Sequence, residues 1–152
     1  MITADLVAQV PLLAALPVSH QARIAAYAAD VALQAGEWLI HEGETPSFFA
    51  LLSGTLDVLK RVGTGDQVIN HYVPGDYFGE LPLLLGSPAV ASIRASEPSR
   101  VLRLDPNDFH ELVVRHPELS HQLLRTMAER TQHLQQLALH TPVARVTVVG
   151  HR

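Results

Sequence analysis

Short alternations of apolar and polar positions, interrupted by a turn signal about every ten residues, fill the middle of this chain. The turns fall at Gly36, Gly43, Gly54, Gly63-Thr64-Gly65-Asp66, Pro74-Gly75-Asp76 and Gly86-Ser87-Pro88. Between them Trp38 and Ile40 alternate with Leu39 and His41, and Leu56 and Val58 flank Asp57, as half-buried strands require. The turn from Gly63 to Asp66 is the clearest hairpin signal. Helical periodicity is confined to the two ends, from about residue 3 to 29 with a break at Pro17, and from 107 to about 140. Asp105-Pro106-Asn107-Asp108 has the composition of a helix start, and His116-Pro117 ends one helix ahead of the next. The pattern predicts a mainly β fold, a sandwich or barrel over about 30–105, with helices at both ends.

Composition narrows the class. With 152 residues, 47% of them apolar, the chain suits one globular domain with a proper core. We assign that domain to 1–140 and read 141–152 as a linker and a strand. A formal charge of −4 gives no general pull toward nucleic acid, and Lys60-Arg61 reads as a solvated strand end. The absence of cysteine excludes disulfides, thiol catalysis and cysteine-ligated iron–sulfur clusters. No run of about 18 apolar residues predicts a membrane span, and the first residues lack the basic start of a signal peptide, so the expected compartment is the cytoplasm. The nine histidines show no zinc-like spacing, and His116 and His121, five apart, align poorly on one helix face; they read as surface histidines. No local catalytic motif is present, so the segment is not expected to be an enzyme.

The chemistry sits in one stretch, Pro74-Gly75-Asp76-Tyr77-Phe78-Gly79-Glu80-Leu81-Pro82-Leu83-Leu84-Leu85-Gly86-Ser87-Pro88-Ala89-Val90-Ala91. A tight turn delivers the chain to Gly79, a helical turn begins at Glu80, and a second turn at Gly86-Ser87-Pro88 leads into a strand. Amides at such a helix start favour an anion. The stretch closely resembles the phosphate-binding cassette of the cyclic-nucleotide-binding domain family, of the catabolite activator and protein kinase A regulatory subunit type. Its members usually read Phe-Gly-Glu-Leu, a few apolar residues, a turn, then Arg-Ala or Arg-Ser.

That resemblance implies that Gly79 and Glu80 face a ribose hydroxyl, and it makes Gly79, Glu80, Leu81, Ala89 and Val90 the candidate ligand positions. The second half of the cassette departs from the family. Its phosphate arginine falls on Ala89, the next position is Val90, and Pro82 has no N–H to donate. Hydrogen bonds to charged groups contribute about 1.5–3 kcal/mol, so cyclic AMP or cyclic GMP is expected to bind at least tenfold more weakly than in a complete cassette. Arg94 shares a face with Ser92, so it points to solvent if Ile93 faces the core. The residues taken alone leave Glu80 open between ligand contact and capping of a helix start, and Gly79 fits a turn that needs positive φ. Ser87 and Ser92 read as turn and surface hydroxyls.

The resemblance covers about the first nine-tenths of the chain and implies a double-stranded β-helix, or jelly roll. Gly36 to Glu44 is similar to the family's first hairpin, Phe49 to Val58 to its next strand pair, and Arg100 to Asp105 to its last strand. In the family a long closing helix lids the nucleotide and, in the bacterial activators, pairs with its twin. Here the helix over 117–140 carries Leu119, Leu123, Met127, Leu134 and Leu137, which leaves two alternatives, a homodimer or a cover for its own sandwich. Thr141 to Gly150 reads as a loop and a β-branched strand. It resembles the junction to a thioredoxin-reductase-like flavoprotein, which implies a fused C-terminal domain rather than the DNA-reading domain of an activator. The reading is a sensor module that controls a fused or partner domain, has no cofactor of its own, and binds cyclic nucleotide weakly. Its rival is a docking or dimerisation module whose pocket is filled by Leu85 and Val90.

Overall fold

Phe48-Phe49-Ala50-Leu51-Leu52 is apolar at every position, and a strand of that composition must be covered on both faces. The computed structural model, which describes residues 1–139 and their side chains through residue 132, places this segment between two layers. It forms β3 (Phe48–Ser53) in a four-stranded antiparallel sheet with β1 (Ala29–Leu33), β8 (Ser99–Leu104) and β6 (Tyr77–Phe78), in the order β1-β8-β3-β6. A second antiparallel sheet has the order β2-β7-β4-β5, from β2 (Trp38–Ile40), β4 (Leu56–Val62), β5 (Gly65–Tyr72) and β7 (Ser92–Ala95). Phe49 and Leu51 face the second sheet and share a cluster with Ile40, Val58, Phe78, Ile93 and Val101. Phe48, Ala50 and Leu52 face the other way and join Leu102 and Leu104 under the helices.

The hairpin predicted at Gly63 to Asp66 joins β4 to β5, with Val62 opposite Gly65. The register shift opposite Val58 and Leu59, which pair with Asn70 and Val68, leaves Ile69 as an extra residue and puts a bulge in β5. Gly54 turns β3 into β4 at φ +90°, where a Cβ would lie 2.2 Å from the Ser99 hydroxyl oxygen, so no other residue fits. The mainly β architecture with helices at both ends is the expected one.

The first helical region is more broken than its periodicity suggested. It runs as α1 (Ala4–Ala8), α2 (Pro11–Ala14) and α3 (Val18–Tyr27), with an interruption at Gln9-Val10 as well as at Pro17. Pro11 can begin α2 but could not continue α1. Buried Gln21 binds the exposed end of α2 by donating to the Leu13 and Ala14 carbonyls, both at 3.2 Å. After β8, Asp105 caps α5 (Pro106–Arg115) by accepting from the Asp108 amide at 2.9 Å. The chain turns at His116-Pro117 into α6 (Leu119–Leu139). His116 is not the surface histidine its position suggested. It is buried, and its ring lies 4.6 Å from that of His20, which closes α3 against the corner between α5 and α6.

Leu119 and Leu123 are buried in the helix-side cluster, so the first turns of α6 cover this chain's own sandwich. The Leu134 and Leu137 side chains and the 141–150 strand lie outside the described residues, and with them the dimer and fusion expectations. Among the described residues no helix is long and apolar enough to cross a membrane, and no group of three or more histidine, cysteine or acidic side chains could hold a metal.

Candidate functional site

The cassette is positioned by a two-residue strand. Phe78 pairs with Phe49 and Tyr77 with Ala50, which carries the next residue, Gly79, against the backbone of Ser47. Gly79 adopts φ +91°, and a Cβ there would meet the Ser47 carbonyl oxygen at 2.0 Å. The turn reading of this glycine is therefore met by both conformation and space. It starts α4 (Glu80–Leu85), which ends at Gly86, again with positive φ.

Glu80 is completely buried, which neither sequence reading of it foresaw in full. Its partner is Arg130 of α6, 50 residues away. The guanidinium donates to both carboxylate oxygens, to Oε2 at 2.9 Å, and through Nη2 to the Tyr77 carbonyl. It also lies over the rings of Tyr72 and Tyr77, 5.3 and 5.4 Å from their centroids. Burial pushes the Glu80 carboxyl above its usual range, while the Arg130 charge and the Leu81 amide pull it back. Tyr72 stacks on Phe78 with centroids 4.4 Å apart, and burial pushes its hydroxyl up to about 12. The Tyr77 hydroxyl meets Thr126 Oγ1 one helical turn before Arg130, a second tie between cassette and α6.

Beside this ion pair lies a cavity of about 300 Å³, at the small end for ligand sites. Gly79, Glu80, Leu81, Ala89 and Val90 all line it, so the structure brings the five sequence candidates together. Ile40, Val58, Ile69 and Ile93 give it apolar walls, and Asn70, Glu129 and Arg130 give it polar groups. The cavity is open, contrary to the filled-pocket alternative. Leu85 does not line it and is 66% exposed.

Ala89 is buried and locked by its backbone, its amide donating to the Glu44 carbonyl at 2.8 Å and its carbonyl accepting from Gly43 at 2.9 Å. Arg94 does not replace the missing cation. Its guanidinium lies 4.9 Å from the Trp38 ring centre and 3.9 Å from Asp57. Lys60 is not the merely solvated residue expected from its place near a hairpin, because it donates to the Val90 carbonyl at 2.6 Å and to Glu42 at 3.0 Å. In the sequence Arg130 falls between Met127 and Leu134 and interrupts the apolar stripe of α6. A strong cation interrupting such a stripe is the signal that would have found it.

An antiparallel β sandwich with a short helix in its cassette and a long helix closing over that cassette defines a ligand-binding regulatory domain. The profile of the family described as cyclic nucleotide-binding domain matches residues 30–116, and the chain belongs to that family. The cAMP-dependent protein kinase regulatory subunit of Emericella nidulans is 36% identical over 106 residues, 69% of this chain and 25% of its own length. The chain thus spans about a quarter of the length of this curated relative. A cAMP-bound PfPKA-R structure superposes with a TM-score of 0.78 at 30% identity, covering 93% of this chain and 48% of that one. The catabolite activator protein of Thermus thermophilus has a TM-score of 0.72 at 24% identity, covers 85% and 62% of the two chains, and bears on the fold alone. The jelly-roll expectation is met. The curated relatives that the chain matches are regulatory subunits.

Proposed function

We propose that this domain is a sensor whose ligand sits at Gly79, Glu80, Leu81, Ala89 and Val90, and that it binds cyclic nucleotides weakly for its family. One observation carries the reading. An open cavity borders a fully buried ribose-type carboxylate, yet the position of the family's phosphate arginine holds Ala89. The relatives' association with cAMP supports a nucleotide-shaped site, and Ala89 removes the strongest contact a cyclic phosphate would make.

Arg130 supplies the route from site to response. It comes from α6 and grips Glu80 and the Tyr77 carbonyl, so a ligand that engages Glu80 alters what holds the closing helix. The output is a fused or partner domain, by analogy with the regulatory subunits. Calorimetric titration of cyclic AMP into this chain and its Ala89→Arg variant tests the site. The variant should bind at least tenfold more tightly, the equivalent of about 1.4 kcal/mol or more. Equal affinities would refute the reading.

A further inference from the structure

A second cleft lies on the helix side of the molecule and shares no residue with the cassette cavity. His20, Arg23, Ile24 and Tyr27 recur along α3 at spacings of three, one and three, which puts all four on one helical face. That face meets Leu112, Arg115 and His116 at the end of α5, and together they enclose about 200 Å³. Ile24 and Leu112 are buried apolar residues. The other five carry two guanidiniums, two imidazoles and a phenol, with no carboxylate in the lining.

These groups are donors without acceptors. Arg23 has no acidic partner among the described residues. Arg115 binds Glu111 through Nε at 2.8 Å, which leaves both of its Nη groups to bind elsewhere. His20 Nδ1 is buried with no hydrogen-bond partner, and the tautomer that leaves this atom bare carries its proton on Nε2. His116 is buried, and its Nδ1 lies 3.3 Å from Glu118 Oε2, a carboxylate that favours the charged ring with a second donor at Nε2. Burial, then Asp108 and Glu111, push the Tyr27 hydroxyl up, while Arg23 and Arg115 pull it down, so both guanidiniums act on a hydroxyl that keeps its proton. The acidic groups nearby, Asp108, Glu111 and Glu118, stand outside the lining. Two helices thus converge on a space that suits a small acceptor-only group, and guanidinium pairs match the geometry of tetrahedral oxyanions.

We propose that the cleft between α3 and α5 binds a phosphate group, with Arg23 and Arg115 supplying charge and His20, His116 and Tyr27 supplying further donors. A phosphate held there would join α3 to the corner from which α6 departs, the helix that brings Arg130 to Glu80. Titration at constant ionic strength with sulfate, whose charge is fixed, and with inorganic phosphate and phenyl phosphate tests it, read by the imidazole resonances of His20 and His116. Both resonances should move together and saturate with a Kd of about 1 mM or tighter. Arg23→Gln and Arg115→Gln, at exposed positions, should each weaken sulfate binding roughly tenfold, whereas Arg61→Gln, exposed on β4, should leave it unchanged. Histidine is the side chain that ordinarily changes charge between pH 8 and pH 6, so sulfate should bind more tightly at pH 6. Tighter binding of phenyl phosphate than of inorganic phosphate assigns the site to an organic monoester and equal binding assigns it to the free ion, and either supports the proposal. Resonances that stay still, an affinity that survives both arginine substitutions, or an equal loss in Arg61→Gln overturns it. An affinity that ignores pH overturns the share given to the two imidazoles.

Discussion

Glu80 and Arg130 form the pair on which the site depends, and removing one partner has a calculable sign. Arg130→Met would leave a buried carboxylate without its cation, a change that costs about 3 kcal/mol where the pair is fully buried and somewhat less here because Arg130 is a quarter exposed. The carboxyl of Glu80 is raised by burial, so the folded state holds its proton more tightly than the unfolded chain does. Stability from this group is therefore greatest at acid pH and declines as pH rises through the folded value. Urea unfolding of Arg130→Met should show a large loss at neutral pH that shrinks on mild acidification; a loss that ignores pH would mean that Glu80 is not the charge left unpaired. At this scale the sequence was half legible. Gly79 and Glu80 stand in a local pattern with local causes, a turn and a helix start. Arg130 and Lys60 act on partners 50 and 30 residues away, and no local pattern encodes such a pairing.

At the level of elements, α6 shows what periodicity does and does not reveal. The stripe beginning Leu119, Leu123 named the face that packs, and those two residues are buried at the helix-side core. It could not say whether that face met its own sandwich or a second copy, because an apolar stripe looks the same in either case. Leu123 and its neighbour Leu124 now make a direct comparison, one buried and the other 62% exposed. Leu123→Ala should cost about 2–5 kcal/mol, whereas Leu124→Ala should stay within about 0.5 kcal/mol, as measured by thermal or urea unfolding. The reverse order would mean that α6 sits in a different rotational phase. The strands were easier to read than the first helices. Turn residues mark strand ends directly, whereas the break at Gln9-Val10 comes from helix ends packing on one another.

For the whole molecule, the tie between the chain's start and the outer strands has a pH dependence opposite to that of Glu80. Asp30 on β1 accepts from Arg100 on β8 at 2.9 and 2.8 Å and also meets the amino group of Met1. Arg100 in turn donates to the Met1 carbonyl at 2.9 Å. The hydrogen bonds from Arg100, and then the amino group, hold the Asp30 carboxyl well below the usual carboxylate range. A lowered folded value contributes stability above the ordinary value of 3.8 and loses it as pH falls through the folded value. Asp30→Asn should therefore flatten the acid side of the stability profile, modestly, because the pair is solvent-screened and weakens further with salt. A profile as steep as the parent's would place the acid sensitivity elsewhere. The sandwich itself was legible from turn spacing, since antiparallel strands recur at the rhythm of their turns. The pairing order β1-β8-β3-β6 was not, because strands 70 residues apart in sequence meet only through the folded topology.

The aromatic residues divide the molecule into two optical regions. The chain has one tryptophan, and Trp38 sits outside the cavity wall with Arg94 and His41 against its ring. Of three tyrosines, Tyr72 lines the cavity and Tyr77 lies under Arg130. Tyr27 stands apart, partly exposed on α3. Changes in the light absorbed or emitted by tyrosine would thus report on Tyr72, Tyr77 and the proposed site against the steady background of Tyr27, while indole emission reports on Trp38, whose ring lies outside the cavity wall, so one unlabelled sample can separate filling of the site from disturbance of the scaffold.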